Sequence, residues 1–136
     1  MKLLLLYTRD FWMKPSVKSL PEAEETDEEI ACQGAVVALV HAEPVDDGRR
    51  GKVVTKAIKN IKWVAGKFAC RRVVLHFFAH LGKESATPEL ARDLVGAMAE
   101  RLDGADYEVT VTPFGYFTQF KMHVAGESLA KVFVEI

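Results

Sequence analysis

Cysteine is scarce in this chain. The two present, Cys32 and Cys70, lie far apart and have no C-x-x-C spacing, so neither a zinc knuckle nor a disulfide framework is indicated and a reducing, cytoplasmic setting is the default. An excess of one charge is also lacking. A net charge of -1 excludes a protein that coats nucleic acid by bulk electrostatics and leaves open a local basic patch. No apolar run reaches membrane-spanning length, and Met1 to Tyr7 is too short for a signal-peptide core, so that segment reads as a first strand and no membrane partner is expected. A Gly-rich phosphate loop, a G-x-S-x-G elbow and a carboxylate pair in an acid/base motif are all missing, which argues against ATP hydrolysis and standard serine hydrolysis. Neither a metal nor a cofactor is expected. His76 and His80 have i, i+4 spacing, but on a segment that reads as strand, where that spacing does not bring two rings together.

What is present is a 49% hydrophobic content over 136 residues, enough for one domain, 1–136, with a real core. After the first strand, Pro15 to Glu29 is polar and carries six acids between Glu22 and Glu29, as a surface loop or short helix would. Gly34 to Glu43 reads as a strand too continuously apolar for a sheet with one wet face, ended by the turn residues Asp46-Asp47-Gly48. Apolar residues at Val54, Ala57, Ile58, Ile61, Val64, Ala65 and Phe68 have the three-and-four spacing of an amphipathic helix. Thr87-Pro88 opens a second helix that buries Ala91, Leu94, Val95, Met98 and Leu102. Strands follow at Tyr107 to Val111, Tyr116 to Val124 and Leu129 to Glu135, the last two joined by a turn at Ala125 to Glu127. The order predicts a two-layer α/β domain with a mixed, mostly antiparallel sheet and two main helices.

Two segments stand out. Val73 to Leu81 is an apolar run carrying His80 where a sheet should meet a loop, and Thr112 to Lys121 sets Pro113 and Gly115 either side of Phe114 before an aromatic strand. The two are expected to border a pocket, although from spacing alone His80 reads more readily as a satisfied core histidine than as a catalyst. A third feature is charge: from Arg49 to Arg72 there are nine Lys or Arg and no acid. At about 100° per residue, Lys52, Lys56, Lys59 and Lys67 share the face opposite the apolar stripe, with Trp63 among them. Trp63 either lies flat over lysine stems or serves, with Lys56 and Lys59, as a phosphate-binding face with a stacking anchor.

Phe78-Ala79-His80-Leu81, a helix opening at Pro88, Pro113-Phe114-Gly115-Tyr116, Phe120-Lys121, Gly126 and Leu129-Ala130 together resemble the amino-terminal editing domain of archaeal threonyl-tRNA synthetases. The likeness runs through Leu3 to Tyr7 and Val37 to Val45, so it covers essentially the whole chain in order. It implies the D-aminoacyl-tRNA deacylase-like fold, a homodimer, and a hydrolase that removes serine from threonine tRNA at the terminal adenosine, largely through that nucleotide's 2′-hydroxyl. The domain would serve a synthetase catalytic domain in cis or in trans. A D-aminoacyl-tRNA deacylase, and a non-catalytic module that binds tRNA ends or a partner, are the alternatives.

By matching position, His80 would line the seryl pocket, Phe78 and Ala79 would give wall and backbone, Phe114 and Gly115 would shape the opposite side, and Ala42, Glu43 and Pro44 would lie near the adenosine. The chain departs from the family pattern where Phe117-Thr118 replaces the expected Tyr-Lys and Lys131 replaces an expected glutamate. If the last two strands pair as a hairpin, Thr118 and Lys131 become neighbours, and Lys131 supplies the missing charge. The alternative is a solvated edge-strand lysine that discourages aggregation.

Overall fold

A computed structural model describes all 136 residues. Six strands form one sheet: β1 (Lys2–Lys18), β2 (Ile30–His41), β3 (Arg72–Phe77), β4 (Glu108–Val111), β5 (Tyr116–Val124) and β6 (Lys131–Glu135). The order is β4-β3-β2-β1-β5, with β6 also paired to β1. β1 runs antiparallel to β2, β5 and β6, whereas β2-β3 and β3-β4 are parallel. Each parallel step is crossed by a helix, α1 (Arg50–Lys67) and then α2 (Pro88–Asp103). The architecture is the two-layer, mixed-sheet α/β arrangement with two helices that the sequence predicts. Neither helix is long and apolar enough to cross a membrane.

The apolar stripe of α1 predicted from spacing is the buried one, from Val53 and Val54 to Ala65, while Phe68 caps the helix and stacks on Tyr7 with ring centroids 4.1 Å apart. Thr87 caps α2 by accepting a hydrogen bond from Leu90 N–H, with Pro88 in the first turn. Both helices pack on Leu3, Leu5, Val36, Ala38, Val40, Val73 and Leu75, which are essentially sealed.

The first strand is longer than its apolar run. It continues through Pro15 to Lys18, so the polar segment between strands shrinks to Ser19–Glu29. Arg9 and Gly34 drop out of the β1-β2 ladder, and Gly34 there has φ +68°, a left-handed conformation that glycine adopts without cost. Beyond this break the side chains exchange faces. Leu3, Leu5 and Tyr7 lie under the helices, whereas Phe11 and Met13 join Leu6, Val37, Leu39 and Val74 in a second cluster on the other side. The distal half of β1, with β5, thereby curls over the face that has no helices, and Met122 and Val124 of β5 pack on that cluster.

The predicted hairpin is not formed. β5 and β6 both pair with β1, end to end: Lys131 faces Leu6, and Thr118 faces Pro15, nine residues further on, or about 30 Å of strand. A short 3-10 turn, Ser128–Ala130, carries the chain across.

Candidate functional site

The curl of β5 over β3 leaves a cleft of about 430 Å³ at the carboxyl ends of β2 and β3. Its floor comes from Val40, Ala42 and His76, one wall from Phe77, Phe78, Ala79 and His80, and the opposite wall from Phe114 to Thr118 with Phe120; Ala86, Pro88 and Ala91 at the start of α2 close the side. Ligands of α/β sheets bind at such strand ends, where loops replace the ladder.

Each wall is braced. Phe114 sits between Phe77, with ring centroids 4.8 Å apart, and the Arg92 guanidinium, 5.0 Å from its ring centre. Tyr116 donates its hydroxyl to Glu24 O at 2.7 Å and accepts from Thr26 N–H at 3.2 Å, tying the acidic β1-β2 loop to this side. On the other wall, His41, fully buried at the end of β2, accepts from Leu81 N–H at 3.0 Å through Nδ1 and so donates through Nε2 to Glu84 O at 2.7 Å. That pins the loop bearing His80, whose ring meets Phe78 edge-on. The amides of Phe78 and Ala86 are held by Val40 O and Ala42 O, both at 2.9 Å, while those of Ala79 and His80 donate to no group of the protein.

Of the residues singled out by sequence, Phe78, Ala79, His80, Phe114, Gly115, Phe117, Thr118 and Ala42 meet in this cleft. Lys131 does not. With β5 and β6 apart, its ammonium instead closes the β5-β6 turn on Ala125 O at 2.7 Å and Glu127 O at 3.3 Å, so the relocation of charge to Thr118 is corrected. Glu43 and Pro44 also lie outside the cleft lining. The Glu43 carboxylate is taken by the Met1 ammonium at 2.8 Å and Lys2 at 2.5 Å, which makes it a structural anion rather than a nucleotide contact. Lys56 and Lys59 are exposed, as is Trp63 at 47%, with Lys67 Nζ 5.2 Å from its ring centre; this face belongs to α1 and is no part of the cleft. The sequence marks His76 only as half of a disfavoured metal pair with His80, and does not mark His41 at all. Both His76 and His41 lie in unbroken apolar strands, where nothing marks which face a side chain takes.

Burial alone would raise the Glu43 carboxyl, but the hydrogen bonds from Lys2 and the Met1 ammonium outweigh it and hold its pKa at about 2 against an ordinary 4.5. A carboxyl lowered in the fold adds stability that is present above the ordinary value and is lost as pH falls from 4.5 toward 2. The urea midpoint is expected to drop across that window, and to drop less in Glu43→Gln; equal slopes in the two proteins would contradict the pairing.

The fold has a counterpart among solved structures. The c-Myc DNA Unwinding Element Binding Protein superposes over 100% of this chain and 99% of its own, with a TM-score of 0.67 and 12% identity. That likeness is one of fold alone, and the fold is the two-layer, D-aminoacyl-tRNA deacylase-like one. Sequence narrows it. The profile of the archaea-specific editing domain of threonyl-tRNA synthetase matches residues 1–136, and the chain belongs to that family. The threonine--tRNA ligase of Thermococcus kodakarensis is 31% identical over 135 residues and that of Hyperthermus butylicus 28% identical over 138. The match takes in 97% of this chain and only 22% of either ligase.

Proposed function

We propose that this domain hydrolyses L-seryl-tRNA(Thr), cutting the ester to the terminal adenosine with help from that nucleotide's 2′-hydroxyl. The observation that carries the reading is the cleft: a compact, aromatic-walled space whose polar content is a few aimed groups and two free amides, Ala79 and His80, rather than a triad. Such a site suits a reaction whose proton-handling group comes with the substrate, because the protein then has only to orient the ester, exclude water and stabilise the oxyanion. The need for it is physical. Serine differs from threonine by one methyl, worth about 1 to 3 kcal/mol in a binding pocket, so a synthesis site cannot reject it well and a second site must remove the error.

Phe117, 60% exposed at the rim, fits a platform for the terminal adenine. The partners are the aminoacylated 3′ end of tRNA(Thr) and a threonyl-tRNA synthetase catalytic domain, in cis or in trans. A homodimer seated on the helix-free face of the sheet at β6 would cover Phe133, which is 53% exposed. The purified chain is expected to deacylate L-seryl-tRNA and spare threonyl-tRNA. Preferential loss of D-seryl-tRNA would make it a D-aminoacyl-tRNA deacylase instead.

The exposed Trp63 among lysines favours a second reading, a module that holds tRNA through α1 without turnover. That reading gives binding and no hydrolysis of any ester.

A further inference from the structure

Deep in the cleft is a histidine that the editing reading leaves idle. His76 on β3 is 5% exposed, and each ring nitrogen faces a threonine: Nδ1 is 2.8 Å from Thr112 Oγ1 and Nε2 is 3.5 Å from Thr118 Oγ1. Phe78 and Phe120 flank the ring, with centroids at 6.3 and 5.7 Å. Burial pushes the His76 pKa down to about 4, so at neutral pH the imidazole is uncharged and offers one N–H and one lone pair.

Thr112 decides which nitrogen carries the hydrogen. Its side chain is 2% exposed, and its hydroxyl has His76 as its sole partner. If Nδ1–H donated to it, the Thr112 O–H would be buried with no acceptor, an arrangement proteins avoid. The Thr112 O–H therefore donates to Nδ1, the ring hydrogen lies on Nε2, and Nε2–H points at Thr118 Oγ1. Thr118 is thus an acceptor on its buried side and still has an O–H to donate. The cleft is its open side, and no other protein acceptor takes that hydrogen.

We propose that Thr118 is the donor to the carbonyl oxygen of the bound ester, and that His76, oriented by Thr112, is the positioning residue that fixes the direction of that donor. The identity of the ester rests on the editing reading above. Water adds to the carbonyl carbon, the C=O pair moves onto oxygen, and the oxyanion is met by the Thr118 O–H and the free amides of Ala79 and His80. Collapse breaks the bond to the ribose oxygen, which takes one proton of the water; the other goes to solvent, leaving serine as its carboxylate. The relay polarises the hydroxyl without bringing a net charge into an aromatic cleft, where an ion would be poorly solvated.

Two measurements on the whole chain test this. In the first, Thr118→Val keeps the shape and removes the O–H, and is expected to lower kcat for seryl-tRNA about 100-fold with KM little changed; Thr118→Ser should stay near the parental rate. In the second, nitrogen NMR of the parental chain should place the His76 hydrogen on Nε2, Thr112→Val should lose that preference, and a non-hydrolysable seryl-amide of adenosine should shift the Nε2 signal. A parental kcat in Thr118→Val, or a hydrogen on Nδ1, overturns the relay while leaving the editing reading intact. Should the chain hydrolyse no ester, the editing reading fails, and the amide still decides the relay: a shift at Nε2 upholds it, and no binding or no shift ends it.

Discussion

Gly115→Ala is expected to lower stability by about 2 to 4 kcal/mol and to depress ester hydrolysis at least as much as any single wall substitution. Two causes act together. Gly115 has φ +83°, where an L side chain is strained, and a Cβ there would sit 2.8 Å from Ala23 Cβ and 3.4 Å from Leu20 Cβ. Neither neighbour is the free end of a long side chain, so the backbone has to give. What gives is the junction that shapes the cleft, because Gly115 O accepts the amides of Ser19 at 2.8 Å and Leu20 at 3.3 Å and so joins the end of β1 to the start of β5. Phe114 on one side and Thr118 on the other would shift with it. Urea unfolding and seryl-tRNA turnover measured on the same preparation check both halves, and parental stability would mean that the β1-β2 loop does not rest on this turn.

Asp46→Ala is expected to cost about 3 kcal/mol, at the lower end of what removing one member of a buried ion pair costs. Asp46 is fully buried. It accepts from the Met1 ammonium, itself sealed from solvent, at 2.8 Å, from Glu43 N–H at 2.8 Å and from Arg49 at 3.4 Å. The same knot holds the last residue, since Ile136 N–H donates to Met1 O at 2.9 Å and Arg49 donates to Ile136 O at 2.5 Å. Glu43 remains beside the ammonium in the variant, which keeps the loss from being larger. The measurement is the urea midpoint at pH 7 with an unchanged m-value. A loss below about 0.5 kcal/mol, the size of an ordinary surface change, would contradict the buried knot.

Much of this was legible in the residues. The helices announced themselves through spacing and caps, and β5 runs over Tyr116–Val124 as alternation and turn chemistry required. Of the two motifs that carry the family resemblance, Phe78, Ala79 and His80 of the first face Pro113 to Tyr116 of the second across the cleft, although only the fold could bring them together. What failed has physical causes. Thr8, Arg9 and Asp10 look like the end of a strand because the break at Arg9 and Gly34 reverses the alternation, so Phe11 and Met13 read as out of phase. The turn at Ala125 to Glu127 suggested a hairpin because adjacency is the usual outcome of a short turn; β1, at 17 residues, is long enough to seat β5 and β6 one after the other instead. Lys131 lost its assigned role with that hairpin. His76 gained one for the opposite reason: in Val73-Val74-Leu75-His76 every position is apolar or buried, and only the curl of β5 reveals that the even positions look into the cleft side.

On the proposed function the cleft edits, and the substrate brings the proton-handling group that the chain lacks. Single-turnover hydrolysis of L-seryl-tRNA(Thr) by the 136-residue chain, with and without the 2′-hydroxyl on the terminal adenosine, puts this to the test. Rapid loss of the intact substrate and a fall of about 100-fold or more without the hydroxyl is the predicted result, the size expected when a group that handles the proton is removed. Equal rates for the two substrates, or no turnover of either while the tRNA stays bound, would contradict it.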